Sequence, residues 1–441
     1  MSRLLFITLL ILLFAAQSQA SDRLIVHEWG TFTSLQDERG APLGRINTDD
    51  EPVPPFVHQM ANTLLFPPTS AFTTDAKGAP EGDPNVTMRL ETPVLYFHLP
   101  ANQTGPITLD VNVAFRGGWL TQYFPDARAT IDGLNRADFL PPLTSKTIGR
   151  LSWHALILNS TAGLLPQSDD PVWTAPRAVS SAPISAGNER EHFLFYRGVG
   201  HIDAPLRVIR AENGQTLQVH DAEGLTVRQI WLVDIRADGS VAFRTALEAT
   251  PTGETTIPAQ FASSDYSQEN LAVLRAALHR ALVANGLFAD EAEALLNTWE
   301  RSYFQNPGER LFFIVPQTWT DTVLPLNLSV PADVTRVMVG RIELVTPAQR
   351  TLLRRMSETS LPSPKSLKEV TAAMTRLRND PAKAAAYNAL AGGRGNLDDL
   401  GVTVPPIYAD FLALGRFRTA LLLNSKDDSG TLISLASALV P

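Results

Sequence analysis

The stretch Leu109-Asp110-Val111-Asn112-Val113-Ala114-Phe115-Arg116 carries an apolar side chain at every second position and runs straight into Gly117-Gly118. Successive side chains of a strand point to opposite faces, so the pattern predicts a strand that sets Leu109, Val111, Val113 and Phe115 on a core. Its surroundings read the same way. Val94-Leu95-Tyr96-Phe97-His98-Leu99 follows Pro93 as a short continuous apolar run, which suits a strand covered on both faces. Asn213-Gly214 lies between apolar runs at 206–210 and 216–220, and Asp238-Gly239 between runs at 228–236 and 241–247. Residue pairs that accept positive φ in such positions predict two hairpins. Residues 167–188 and 49–55, rich in proline and small polar residues and without periodicity, are expected to be surface loops.

The character of the chain changes at 251–268, a connector containing Thr, Ser and Pro. Beyond it Leu271, Leu274, Leu278, Ala281 and Leu282 recur with helical spacing, and Gly286 stands where a C-terminal cap belongs. Asp290 with Glu293 three residues later resembles a capping box opening a second helix through Leu295, Leu296, Trp299 and Tyr303. Strands return at 311–315 and 337–345. Further helices are expected after Thr346-Pro347, through Leu367, Val370, Met374 and Leu377 up to Pro381, and within 408–423. The expectation is an α+β fold: a β-rich, sandwich-like region at 21–250 and, packed against it, an α+β region at 269–441 with three to five helices.

Arg3, an apolar run over residues 4–16 and the small and polar Gln17-Ser18-Gln19-Ala20 have the form of a secretory signal cleaved after Ala20. The run is about a third shorter than the roughly 20 residues that cross a bilayer, which favours cleavage over anchoring. The mature chain is therefore expected to start at Ser21 and to be exported, periplasmic or secreted. No later segment has the length and apolarity of a membrane span. The chain has no cysteine, which excludes disulfides, thiolate metal sites and a cysteine nucleophile. With 37 basic against 45 acidic residues it lacks the basic footprint of a nucleic-acid partner.

The usual nucleotide-binding and serine-hydrolase motifs are absent, as is the paired-histidine helix of metalloproteases. Chemistry, if present, comes from residues distant in sequence. The most chemically capable segment is His27-Glu28-Trp29-Gly30-Thr31-Phe32-Thr33, after the strand-like Leu24-Ile25-Val26. Alternation sends His27 and Trp29 to one face and Glu28 to the other, so His27 could ligate a metal or act as a base while Glu28 orients a neighbour; the competing reading is an ordinary core strand. The candidate catalytic residues are His27, Glu28, Glu91 and His192, and the candidate metal ligands are His27, His98, His192 and His201. Trp29 and Arg197 are candidates for binding, although a structural ion pair of Arg197 with Glu28, Glu91 or Glu191 is the favoured reading. Asp49-Asp50-Glu51 and Asp427-Asp428-Ser429-Gly430 are acidic clusters outside the calcium-loop pattern, expected to be solvated turns.

Residues 26–34, 89–97, 193–200, 298–304 and 339–344 resemble segments of a group of uncharacterised exported bacterial proteins that share the His-Glu-Trp-Gly-Thr-Phe-Thr segment. The resemblance implies a shared fold and carries no activity with it. Together these features lead to the expectation of a non-enzymatic exported protein that binds another protein or an envelope or extracellular polymer. No cofactor is called for, beyond a divalent metal at the histidines. The alternatives are an extracytoplasmic hydrolase with a His/carboxylate site, metal-loaded or metal-free, and an accessory factor for a secreted partner. Intact-mass measurement of the exported protein is expected to give a chain that starts at Ser21; retention of residues 1–20 would show an uncleaved segment instead.

Overall fold

A computed structural model describes residues 23–48, 53–60, 75–134, 140–159, 164–249, 255–360, 362–391, 395–425, 432 and 434–436. Residues 1–20, where a signal segment is expected, and both acidic clusters lie outside the described residues. The fold is mixed, with a large sheet through the N-terminal and central chain and helices with strands in the C-terminal part.

Sixteen of the described strands join in one hydrogen-bonded sheet. Its centre is β1 (Leu24–Gln36), followed in the chain by β2 (Met88–Leu90), β3 (Val94–His98), β4 (Ile107–Arg116), β5 (Gly118–Phe124), β6 (Ile148–Ile157) and β7 (Leu194–Gly200). The C-terminal half of the sheet comprises β8 (Val227–Ile235), β9 (Val241–Ala249), β10 (Gly308–Val315) and β11 (Ala332–Leu344). Along the main path the order is β6-β5-β7-β2-β1-β11-β10-β8-β9. β1 pairs in parallel with β11 from Leu24 opposite Ala332 to Gln36 opposite Leu344. Its other edge pairs antiparallel with β3 and then β2.

Both faces of β1 are covered, as expected for a strand deep in a sheet. Val26 and Phe32 belong to one core, where Phe32 packs against Phe313 and Trp319 at ring separations of 5.9 and 5.3 Å. Trp29 belongs to a second core, with Trp173 of α1 (Pro171–Arg177) and, beneath α2 (Glu269–Ala284) and α3 (Ala289–Thr298), Leu274, Leu278, Leu295 and Trp299. Gly30 permits the close spacing here, since a Cβ on it would lie 2.8 Å from Met338 Sδ and 3.0 Å from Pro93 Cα. β4 buries Leu109, Val111, Val113 and Phe115 while Asp110, Asn112 and Arg116 stay exposed. Both expected hairpins form, with Gly214 at φ 68° and Gly239 at φ 83°.

Three expectations need correction. Residues 167–188 are more than a loop: Asp170 caps a helix at Pro171–Arg177, its carboxylate accepting from the Val172 amide at 3.0 Å, and Ile184–Ala186 is a strand. Seven residues are too few to display helical periodicity, and burial of Trp173 supplies the stability instead. The expected helix within 408–423 is two helices, Pro406–Ala413 and Arg418–Asn424, separated near Gly415 at φ 86°. The described C-terminal region holds nine α-helices, several of them as short as Glu300–Phe304 and Gln317–Val323.

Buried charges lock the helical layer to the sheet. Arg310 of β10 donates to the Tyr303 and Asn306 carbonyls at 2.9 and 2.7 Å, and Arg341 of β11 to the Ser302 carbonyl at 2.7 Å. Both guanidinium groups meet the Glu343 carboxylate. Burial pushes the Glu343 pKa up, but Arg310, Arg341 and Arg416 outweigh it and hold the carboxyl below its usual range. A carboxyl whose folded-state pKa is depressed contributes stability that is fully present above its unfolded pKa and is lost as pH falls through the folded value. Urea unfolding is thus expected to show Glu343→Gln destabilised by about 3–5 kcal/mol at pH 7. Below the ordinary carboxylate range, near 4.5, the difference from wild type should shrink as Glu343 itself is protonated.

Candidate functional site

The antiparallel register of β1 and β3 sets Ile25 opposite His98 and His27 opposite Tyr96. His27 and His98 are therefore diagonal neighbours on one face, within reach of each other as diagonal cross-strand pairs are. Their ring centroids lie 5.4 Å apart. The first turn of α3 comes down onto this face and inserts Glu291 between the two imidazoles. Glu291 Oε2 is 2.7 Å from His27 Nδ1, and Oε1 is 2.8 Å from His98 Nε2.

The same carboxylate terminates the helix. The Phe288 amide donates to Glu291 Oε2 at 2.8 Å, so Phe288 is the N-cap residue and Glu291 the side chain that reaches back to it. The expected box of Asp290 and Glu293 is displaced accordingly. Asp290 instead accepts from the Ser180 amide at 2.9 Å, tying α3 to the segment after Pro171–Arg177. The Phe288 ring rests on both imidazoles, 4.6 Å from His27 and 4.8 Å from His98.

His27 and Glu291 are buried, the His98 side chain is 13% exposed and Phe288 is 40% exposed, so the cluster lies just beneath the surface. Burial acts to raise the Glu291 pKa, but the hydrogen bonds from His27 and His98 and the Phe288 amide more than offset it, and the carboxyl is held below the ordinary value. Tyr96, on the same face, is pushed well above the usual phenol range by burial and then by the negative charge of Glu291. Two imidazole nitrogens and a carboxylate oxygen, all within 4.8 Å of one another, form a donor set that can hold a divalent ion or pass a proton.

The other candidate residues lie elsewhere. Glu28, on the opposite face, accepts from the Tyr196 hydroxyl and from Arg336 Nε at 2.5 Å, and Arg336 also reaches Asp321 at 2.9 Å. Glu91 is 2.7 Å from Lys77 Nζ, with Arg89 at 3.5 Å and Arg416 at 3.4 Å. Arg197 donates to the Glu91 carbonyl at 2.8 Å and the Thr92 hydroxyl at 3.2 Å. His192 takes part through its backbone, its amide donating to Glu191 and its carbonyl accepting from Ser181. His201 Nδ1 lies 2.8 Å from the Asn85 carbonyl. Trp29 is fully buried, 6.3 Å from the Tyr96 ring.

No family model matches the chain, and no curated protein matches it in sequence. Among solved structures the chain is similar to the yeast delta-COP-I mu-homology domain complexed with a Dsl1 WxWxV peptide, at 8% identity and a TM-score of 0.28, covering 74% of this chain and 98% of that one.

Glu291→Ala removes the helix cap and leaves His27 and His98 without their acceptor. The expected cost is about 3 kcal/mol, combining a cap with hydrogen bonds to a charged group. Asp290→Ala loses only peripheral contacts and should cost about 1 kcal/mol or less, as read from parallel urea titrations.

Proposed function

We propose that the protein is an exported, non-enzymatic binding protein that engages another protein or a polymer of the cell envelope or extracellular space. The observation that supports this reading is how the candidate catalytic carboxylates are used. Glu28 joins β1, β7 and the Gln317–Val323 helix through Tyr196, Arg336 and Asp321, and Glu91 sits buried among Lys77, Arg89 and Arg416. Glu191 is likewise held by Trp173 Nε1 at 2.9 Å and by Arg177. Carboxylates engaged on both oxygens by buried cations and donors hold elements together; a general base needs a free lone pair directed at a substrate.

An extracytoplasmic hydrolase would instead draw on His27, His98 and Glu291. The two readings differ in whether that cluster turns over a substrate. A structural Glu28 predicts that Glu28→Gln lowers stability by about 3–5 kcal/mol, since buried Arg336 is left with only the half-exposed Asp321 as counter-charge. A hydrolytic cluster predicts turnover of model ester, phosphate or peptide substrates that His98→Ala abolishes while the fold is retained. Saturable co-sedimentation of labelled mature chain with isolated envelope or extracellular polymer is the expected binding result. Substrate turnover that His98→Ala abolishes would overturn the proposal.

A further inference from the structure

We infer that His27, His98 and Glu291 form a binding site for one divalent transition-metal ion, Zn²⁺ being the best match to the donor set. This goes beyond the binding reading above, and neither depends on the other.

The three donors come from three elements, β1, β3 and α3, and meet without any rearrangement of the backbone. Imidazole and carboxylate together suit a borderline cation such as Zn²⁺, whereas Ca²⁺ and Mg²⁺ require an oxygen-dominated shell. In the metal-free arrangement each imidazole directs a ring nitrogen at one carboxylate oxygen, at 2.7 and 2.8 Å. Ligands on a tetrahedral ion with bonds of about 2.1 Å stand roughly 3.4 Å apart, so each hydrogen-bonded pair opens by about 0.6–0.7 Å while the wider donor spacings, up to 4.8 Å, close toward the ion. Rotation of the three side chains supplies that adjustment.

The surroundings are those of a supported ligand set. The Phe288 amide donates to Glu291 Oε2 and holds the carboxylate in place, as hydrogen-bonded partners of metal ligands do. Phe288 covers one side of both imidazoles with an apolar ring. The partly exposed edges of His98 and Phe288 mark the route by which an ion enters and the side on which a fourth ligand, water, would bind. A buried hydrogen-bonded clamp would also bring these groups together, but only the metal site predicts stoichiometric binding.

The test uses the mature chain, stripped with a chelator and titrated calorimetrically with Zn²⁺ alone, followed by Co²⁺ as a spectroscopic stand-in. One Zn²⁺ per chain is expected, with affinity lowered about 100-fold or more in His98→Ala and in Glu291→Gln, and with Co²⁺ absorption lost in the same variants. Asp290→Asn leaves the three donors in place and should bind as wild type does. His98→Ala, truncated at a partly exposed side chain, gives a readout even if Glu291→Gln unfolds. Absence of Zn²⁺ binding by wild type, or binding undiminished in His98→Ala, overturns the inference. Envelope-polymer binding is measured without metal and stands or falls separately.

Discussion

The parallel pairing of β1 with β11 is the constraint on which the rest depends. It brings together strands whose paired residues are 308 positions apart, Glu28 with Arg336 among them. Closing so long a loop costs conformational entropy before any contact repays it, although the cost grows only logarithmically with length. Thirteen consecutive residue pairs, the nine from Glu28–Arg336 onward buried on both strands, provide the return. Once β11 is in place it also forms the edge to which β10 and then β8 and β9 add, so both cores are bounded by the same pairing.

A sheet buried on both faces leaves few places for charge, yet Glu28, Arg89, Glu91, Arg197, Arg310 and Arg341 are all fully buried. Their energetics favour an exclusive fold more than a stable one. A buried pair commonly stabilises no better than an apolar pair of the same shape, but the loss of one partner is severe. Arg310 shows the strain directly: burial lowers its pKa to about 9 in spite of Glu343. Such groups tolerate one arrangement of strands, because a register shift on β1 or β11 would leave a charge facing apolar side chains.

What could be read from the sequence follows from how local each signal is. The alternation at Leu109–Phe115, the turns at Gly214 and Gly239 and the helical spacing of Leu274, Leu278 and Leu282 are properties of a few adjacent residues, and each appears in the structure as expected. The start of β11 was not legible, because Asp333, Thr335 and Arg336 interrupt the apolar run that becomes visible only from Val337. The buried arginines were not legible either, since charge on its own signals exposure. Glu291 was hidden by its cap: the box signature looks for Ser or Thr, and here the cap residue is Phe288. Three acidic residues within Asp290-Glu291-Ala292-Glu293 marked the helix start without showing which one turned inward.

The His-Glu-His cluster joins these two themes. His27 and His98 are set by strand register, which the β1–β3 pairing decides, while Glu291 is set by a helix start, which its own capping decides. A carboxylate that must cap α3 and accept from two imidazoles is satisfied only when the helix is docked on the sheet. Local helix formation and long-range sheet assembly are thereby coupled through a single side chain. Any ion gripped by the same three donors would bind the docked state in preference to the undocked one and stabilise it by mass action. The segment around His27 gains most from that coupling, because it lies on β1, which β11 and β3 hold from either side.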